Sequence, residues 1–482
     1  MSKDGKGYAE EGKSVGGVNG EDPEQGGQAR GIGNRLSSKL MTHTFEALKI
    51  RDFRTLWFGF LGSWTGMQFQ QVARGYLAYK LTGSAFAIGL VTLAMGLPRI
   101  FLSPIGGYLA DRFNKRDVIV WTSLPMTILS IITGFLYIDG HLTIAWLVVL
   151  GFIQGITFAF LMPARQAFVP QVVGTGHLLP NAVALNNAGM NLTRVAGPSI
   201  AGLLIAVPHF GLGGTFFVAA GCWMWVTWSA MRVAVPGAPV GKRQRVGASV
   251  KEGFRYVRSK PAIMVLLSLG FVPLALGMPY INLMPAVADG PLHGGSALLG
   301  ILLSIGGVGS LAGTLLVASL SRYPKKAVMQ LTLGISFGLA LVGFSYFVRL
   351  DEIVPSIPFL FLAGMTGDAY QALNSSLIMM STEASQYGRV MGVFMMAQSI
   401  RPISIMPISA VADAITTPVT LLFAGAIVSV FVAGVAIFYP GYRQIGRDPL
   451  SVSATAEIPV IPPGSFDKPP DDGPVTLGGR TA

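Results

Sequence analysis

About twelve stretches of roughly 20 apolar residues follow one another between residues 54 and 440, separated by short polar turns. No other feature limits the fold so strongly. About 20 residues of α-helix cross the hydrocarbon of a bilayer, and every backbone polar group there must be bonded within its own segment. The stretches lie near 54–79, 85–109, 118–138, 143–162, 182–207, 214–235, 261–287, 297–320, 327–348, 357–380, 389–413 and 418–440. Only 12% of the 482 residues are charged and 51% are hydrophobic, against about 25% charged residues in a soluble domain. The balance predicts an all-α membrane protein in contact with the lipid bilayer.

A net charge of +12 raises nucleic acid as a partner, but the placement of the cations argues for membrane topology and no nucleic acid. One set of helix ends carries Arg51, Arg54, Arg112 to Arg116, Arg322 to Lys326, Arg443 and Arg447. The loop from Arg232 to Lys260 adds Lys242, Arg243, Arg245, Lys251, Arg255 and Arg258 against a single Glu252. The opposite turns hold Asp139, His141, His209, Asp289, His293, Asp351, Glu352 and Asp413, with Arg349 as the exception. Translocating cations is costly, so the basic ends and both termini are expected on the cytoplasmic side of a multi-pass cell-membrane protein (inner or plasma membrane). Residues 1–45 contain no apolar core of a cleavable signal, and both 1–45 and 443–482 read as disordered cytoplasmic tails. The single cysteine, Cys222, excludes an intramolecular disulfide.

The segment DRFNKR at Asp111–Arg116 recurs as SRYPKK at Ser321–Lys326, 210 residues later, each copy between two glycine-rich spans. Such a repeat predicts two pseudo-symmetric six-helix bundles, 46–235 and 261–442, joined by a basic cytoplasmic loop at 236–260, with a site between them near the midplane.

The run GGYLADRFNKRDVIV, Gly106 to Val120, resembles motif A of the major facilitator superfamily. The resemblance implies that Gly107, Asp111, Arg112, Lys115 and Arg116 form a gating latch between helices 2 and 3 of a rocking transporter. The segments YLAYKLTGSAFAIGL (Tyr76–Leu90), MPARQAFVPQVV (Met162–Val173), LPNAVALNNAGMNLTRVAGPSIAG (Leu179–Gly202) and YGRVMGV (Tyr387–Val393) are similar to the branch that includes enterobactin exporters and macrolide-efflux proteins. Gly197, Pro198 and Gly202 resemble the antiporter signature of helix 5, motif C, which implies a kink favouring export; Thr193 and Ala201 stand where that pattern has glycine. LVVLGFIQGITFA (Leu147–Ala159) resembles the drug-antiporter motif B with Gly151 in place of its arginine, so the usual proton relay does not carry over. The second copy of motif A has Ser321 in place of the aspartate.

Ionisable side chains inside spans are expensive and mark candidate sites. Asp368, about eleven residues into helix 10, is the candidate proton carrier, with Gln371 and Asn374 following at helical spacing. Arg74, Arg99, Arg194 and Arg401 lie inside helices 1, 2, 5 and 11. Facing one carboxylate, they predict a positive cavity that favours anionic or zwitterionic amphiphiles over cationic ones. Gln68, Gln71, Asn187 and Asn191 complete the expected cavity lining, with Gln68, Gln71 and Arg74 read as sharing one face of helix 1. Trp64, Phe69 and Tyr370 are candidates to stack on a flat substrate.

No nucleophile–base pair, phosphate loop or metal-spaced Cys/His cluster appears in the sequence, so no enzyme activity, cofactor or metal is expected. The expectation is a monomeric secondary transporter that exports small amphiphilic compounds in exchange for protons. A dedicated siderophore or lipid-like metabolite exporter is the alternative within transport. A non-transporting receptor or assembly partner on the same scaffold is the alternative outside it.

Overall fold

The computed structural model describes residues 45–444 except 175, 177, 209, 236, 238–254, 321, 322, 324, 383–389, 391, 392 and 395–400, and leaves out the side chains of Pro104, Asp111, Arg443 and Gln444. The two tails, most of the basic central loop, Ser321 with Arg322, nearly all of the Tyr387–Val393 segment and the Asp111 carboxylate lie outside the described residues.

Twelve long helical segments follow one another among the described residues, with shorter helical turns beside them and no strand between them. They are α1 (Arg51–Thr82), α2 (Ala85–Arg112), α3 (Lys115–Ile138), α4 (Ile144–Val173), α5 (Leu178–Ala206), α6 (Gly211–Arg232), α7 (Pro261–Asp289), α8 (Gly295–Ser319), α9 (Lys326–Arg349), α10 (Ile353–Met380), α11 (Arg401–Ile415) and α12 (Thr417–Phe438). Eight of them are long and apolar enough to cross a membrane; the others are α1, α5, α6 and α11. Polar residues dilute α1 and α5, and only 15 residues of α11 are described.

Local chemistry sets several of these boundaries. Gly83 ends α1 in the left-handed region at φ 65°, its N–H donating to Tyr79 O at 2.7 Å. Ser84 then caps α2, its Oγ accepting from the Ala87 N–H at 3.4 Å. Within α7 the ladder widens to a π-turn over Pro273–Gly277, where the Met278 N–H reaches back to Pro273 O at 3.1 Å. Proline cannot donate, and a single π-turn absorbs the interruption without ending the helix.

The spans are apolar outside and mixed inside, as expected where lipid and protein interior are equally greasy. On α3 the residues Thr122, Ser123, Thr127, Ser130 and Thr133 are buried, while Trp121, Leu124, Ile128, Ile132 and Phe135 face outward.

Two compact units emerge. The first contains Met1–Gln244, Ile281–Gly307 and Pro402–Thr417, and the second Arg245–Tyr280, Val308–Arg401 and Pro418–Ala482. In the first, Phe53, Phe60, Trp64, Phe168 and Trp223 build a core shared by α1, α4 and α6. Small residues bring the helices close: a Cβ at Gly106 would meet Ala159 O of α4, and one at Gly155 would meet Met95 O of α2. In the second unit Gly338 of α9 lies against Gly425 and Ser429 of α12, and Tyr370 of α10 packs beside Gly334. Tyr442, past the end of α12, is fully buried and donates to Gln330 Oε1 of α9; burial pushes its hydroxyl pKa up.

Candidate functional site

In the first unit the polar residues of α1 fan out to three neighbouring helices. Gln68 Nε2 donates to Arg194 O of α5 at 3.4 Å, Gln71 Nε2 to Asn282 Oδ1 of α7 at 3.3 Å, and Arg74 Nη1 to Gln154 Oε1 of α4. The expected common face is corrected here. A step of three residues turns a helix by about 300°, so residues six apart lie about 120° from each other. Arg74 is 3% exposed and so does not line an open surface.

Arg74 instead heads a buried chain of amides. Gln154 Nε2 donates to Gln70 Oε1, which also accepts from Trp223 Nε1 at 3.3 Å, while Gln70 Nε2 donates to Ser130 Oγ. Arg74 Nε and Nη2 meet no acceptor. A Cβ at Gly151 would stand 3.8 Å from Arg74 Nη1, so the guanidinium from α1 lies beside the position that motif B gives to arginine. Further along α4, Arg165 is 4% exposed, donates to Ser63 Oγ at 2.7 Å and packs its guanidinium over the rings of Trp64 (4.0 Å) and Phe60 (4.3 Å). Trp64 is thus committed to Arg165, and Phe69 is buried. Arg99 lies 4.4 Å above the ring of Phe158. Among the described residues the fully buried charges are Arg74, Lys115 and Arg165, and no carboxylate is among them. Amides and π-faces moderate the cost of these cations.

The ends of the helices opposite motif A are closed upon each other within the first unit. Tyr76 OH of α1 donates to Asp289 Oδ1 of α7 at 3.3 Å. Asp413 of α11 caps α2: its carboxylate accepts from the N–H groups of Ala85 (2.6 Å) and Phe86 (3.0 Å) and from Ser84 Oγ. A carboxylate at a helix N-terminus meets unpaired donors and the positive end of the dipole. Deeper in, Gly89 and Gly96 of α2 admit Ser409 and Pro402 of α11. Gly202 of α5 touches Gly300 of α8 backbone to backbone, and Gly307 of α8 lies against Val195. The motif C-like residues therefore serve a helix crossing: Gly197 makes room for the Gln68 side chain, Pro198 lies inside α5, and Gly202 forms the crossing itself. Asn187, Asn191 and Arg194 are exposed residues of α5.

At the basic end, Gly106 rather than Gly107 provides the close approach, since a Cβ at Gly107 would meet nothing. Lys115 is fully buried, and its N–H donates to Gly237 O at 3.0 Å. Arg112 donates to Tyr108 OH at 2.9 Å and is exposed; Arg116 pairs with Asp117 at 3.5 Å.

In the second unit Asp368 is half-buried on α10, and Arg401 is half-buried at the start of α11. Gln371 carries both amide atoms buried without a partner. Asn374 is fully buried, accepts from Gln330 Nε2 at 2.7 Å and abuts Gly270 of α7, so it binds helices together. Tyr370 is equally committed, its OH donating to Leu269 O at 2.6 Å. No group of three or more His, Cys, Asp or Glu suited to a metal occurs among the described residues.

Gln154, Arg165 and Tyr442 carry this architecture and are absent from the residues singled out by sequence, where Asp413 enters only as an acidic residue of a turn. Gln154 and Arg165 had a visible signal, as polar residues within the apolar run of α4. Asp413 and Tyr442 gave none, because their partners lie 327 and 112 residues away.

Residues 42–459 match the family model described as "Transmembrane secretion effector". The multidrug efflux pump Tap of Mycolicibacterium fortuitum is 28% identical over 392 residues, covering 78% of this chain and 92% of the pump. The staphyloferrin A transporter of Staphylococcus aureus is 22% identical over 358 residues, covering 73% and 87%. The crystal structure of a bacterial homologue of the iron transporter ferroportin superposes with a TM-score of 0.63 at 12% identity, covering 82% of this chain and 99% of that one, which is a likeness of fold.

Proposed function

Because the chain belongs to the transmembrane secretion effector family of major facilitator transporters, we propose that it is a secondary active exporter. It moves small amphiphilic compounds out across the cytoplasmic membrane by alternating access, in exchange for protons. The observation that carries this reading is the closure of the helix ends opposite motif A. There α1 meets α7, α2 meets α11 and α5 meets α8 through a handful of polar contacts and bare glycine crossings. A carrier that alternates needs a barrier that closes without a thick apolar seam, and contacts of this kind are few enough to break and reform. The efflux role of Tap supports export. The positive-inside bias supports basic ends and termini in the cytoplasm, and the repeat supports two six-helix halves around a central site.

Asp368 is the proton carrier in this reading, and Arg401, Arg194, Asn187, Asn191 and Gln371 belong to the substrate path. Export is tested with a substrate-extrusion panel in a pump-deficient host, with and without a protonophore. Expression is expected to lower accumulation of at least one compound, and the protonophore to abolish the effect. Asp368→Asn is expected to uncouple export from the pH gradient; coupling that survives this change removes Asp368 from the role.

A second reading concerns substrate charge. Arg194 of α5 and Arg401 of α11, neither of them fully buried, against Asp368 as the one carboxylate expected in the path, favour anionic or zwitterionic compounds. The staphyloferrin A transporter makes a siderophore exporter the concrete form of that reading. Competition between matched anionic and cationic compounds decides it: stronger inhibition by the cation overturns the anion preference.

A further inference from the structure

Two prolines interrupt helices at places where a neighbouring helix sends a polar side chain to the carbonyl that the proline frees. In an α-helix each N–H bonds the carbonyl four residues earlier, so a proline leaves that carbonyl without its donor. Pro273 frees Leu269 O of α7, and Pro198 frees Arg194 O of α5. The Tyr370 hydroxyl of α10 donates to Leu269 O at 2.6 Å, and Gln68 Nε2 of α1 donates to Arg194 O at 3.4 Å. Within a bilayer a freed carbonyl is costly unless a neighbouring group serves it.

The packing around each donor holds it to this task. Leu269 and Tyr370 are fully buried, and the tyrosine ring lies against Gly334 of α9. A Cβ at Gly197 would stand 2.7 Å from Gln68 Cβ, so the glycine before Pro198 is what admits the glutamine. At its break α7 also changes company. Before it, Leu269 and Gly270 meet Tyr370 and Asn374 inside the second unit. After it, Asn282 and Asp289 bond to Gln71 and Tyr76 inside the first. A helix held by a different unit at each end yields between them when the units move, and the π-turn at Pro273–Gly277 lies between the two sets of contacts.

We propose that Tyr370, and in the same manner Gln68, is a positioning residue for transport. Each supplies the donor that a proline withdraws, so that α7 and α5 bend at Pro273 and Pro198 without leaving a carbonyl bare. The pairing of donor and proline holds whatever the chain carries, whereas bending during transport rests on the alternating access proposed above.

A double-variant cycle on the purified full-length protein tests the pairing. Tyr370→Phe keeps the ring and removes the donor, and is expected to lower the melting temperature by about 3 °C or more. Pro273→Ala gives Leu269 O a backbone donor again, so in that background Tyr370→Phe is expected to cost about a third as much or less. Gln154→Leu, which breaks a buried bond of the first unit, is expected to cost the same in both backgrounds. A Tyr370→Phe penalty that Pro273→Ala leaves undiminished overturns the pairing. Should Tyr370→Phe alone fail to fold, folding regained on adding Pro273→Ala is the expected result, and none regained overturns the pairing as well. Gln68→Met with Pro198→Ala is expected to repeat the cycle in α5 with smaller losses, because that bond is longer and less buried. Export of a compound that the wild type expels separates bending from stability. Pro273→Ala is expected to melt no lower than the wild type yet to export about threefold more slowly at an unchanged KM. A wild-type rate in that variant overturns the bending role. A wild type that expels nothing refutes the export reading instead, and the melting cycle still decides the pair.

Discussion

Three asparagines that look interchangeable in the sequence differ sharply once placed. Asn374 is fully buried and ties α10 to Gln330 of α9, whereas Asn187 and Asn191 are exposed on α5. Removing one partner of a buried hydrogen bond costs about 1–3 kcal/mol, while exposed substitutions stay within about 0.5 kcal/mol. Asn374→Ala is therefore expected to lower the melting temperature of the purified protein by several degrees, and Asn187→Ala and Asn191→Ala to leave it in place. Gln154→Leu is expected to be at least as damaging, because it strands the guanidinium of Arg74 and breaks the link to Gln70. A melting curve equal to wild type would remove Gln154 from that role. The sequence allowed these polar residues to be noticed, since each interrupts an apolar run. It could not say which were helix fasteners, because the partner of Asn374 lies 44 residues away and that of Gln154 lies 80 or more.

At the level of helices, length and hydropathy made the order of spans legible, and the termini of α1, α2 and α3 follow from Gly83, Ser84 and a short turn. What stayed hidden was how helices finish on each other. Nothing local to Asp413 announces that it caps α2, and the glycine pair at Gly106 and Gly107 does not tell which member touches α4. The cap is open to test. Loss of a capping acceptor costs about 0.5–2 kcal/mol, so Asp413→Ala is expected to loosen the contact of α11 with α2. Ser409→Cys in a Cys222→Ser background places a probe at a fully buried position against Gly89. Labelling of that cysteine by a membrane-impermeant maleimide is expected to accelerate several-fold in Asp413→Ala; an unchanged rate would show that the cap does not hold this end closed.

Across the molecule, charge and burial divide the work. From the positive-inside bias of the helix ends, reporter fusions at both termini are expected to report the cytoplasmic side; a terminus exposed outside would reverse the assignment. Inside, Arg74 and Arg165 are accommodated by amides, a hydroxyl and aromatic faces, with no fully buried acid among the described residues. The family was legible from motif A and its neighbours because they are contiguous in sequence, whereas the buried relay is assembled from α1, α3, α4 and α6. The π-turn in α7 adds a constraint on the chain's history. Each residue advances a helix by about 100°, so the extra residue at Pro273–Gly277 sets the phase of everything after it. Deleting one residue there would swing Asn282 away from Gln71 and Asp289 away from Tyr76 together, which means that insertions and deletions in this stretch are tolerated only when they restore the original angular count.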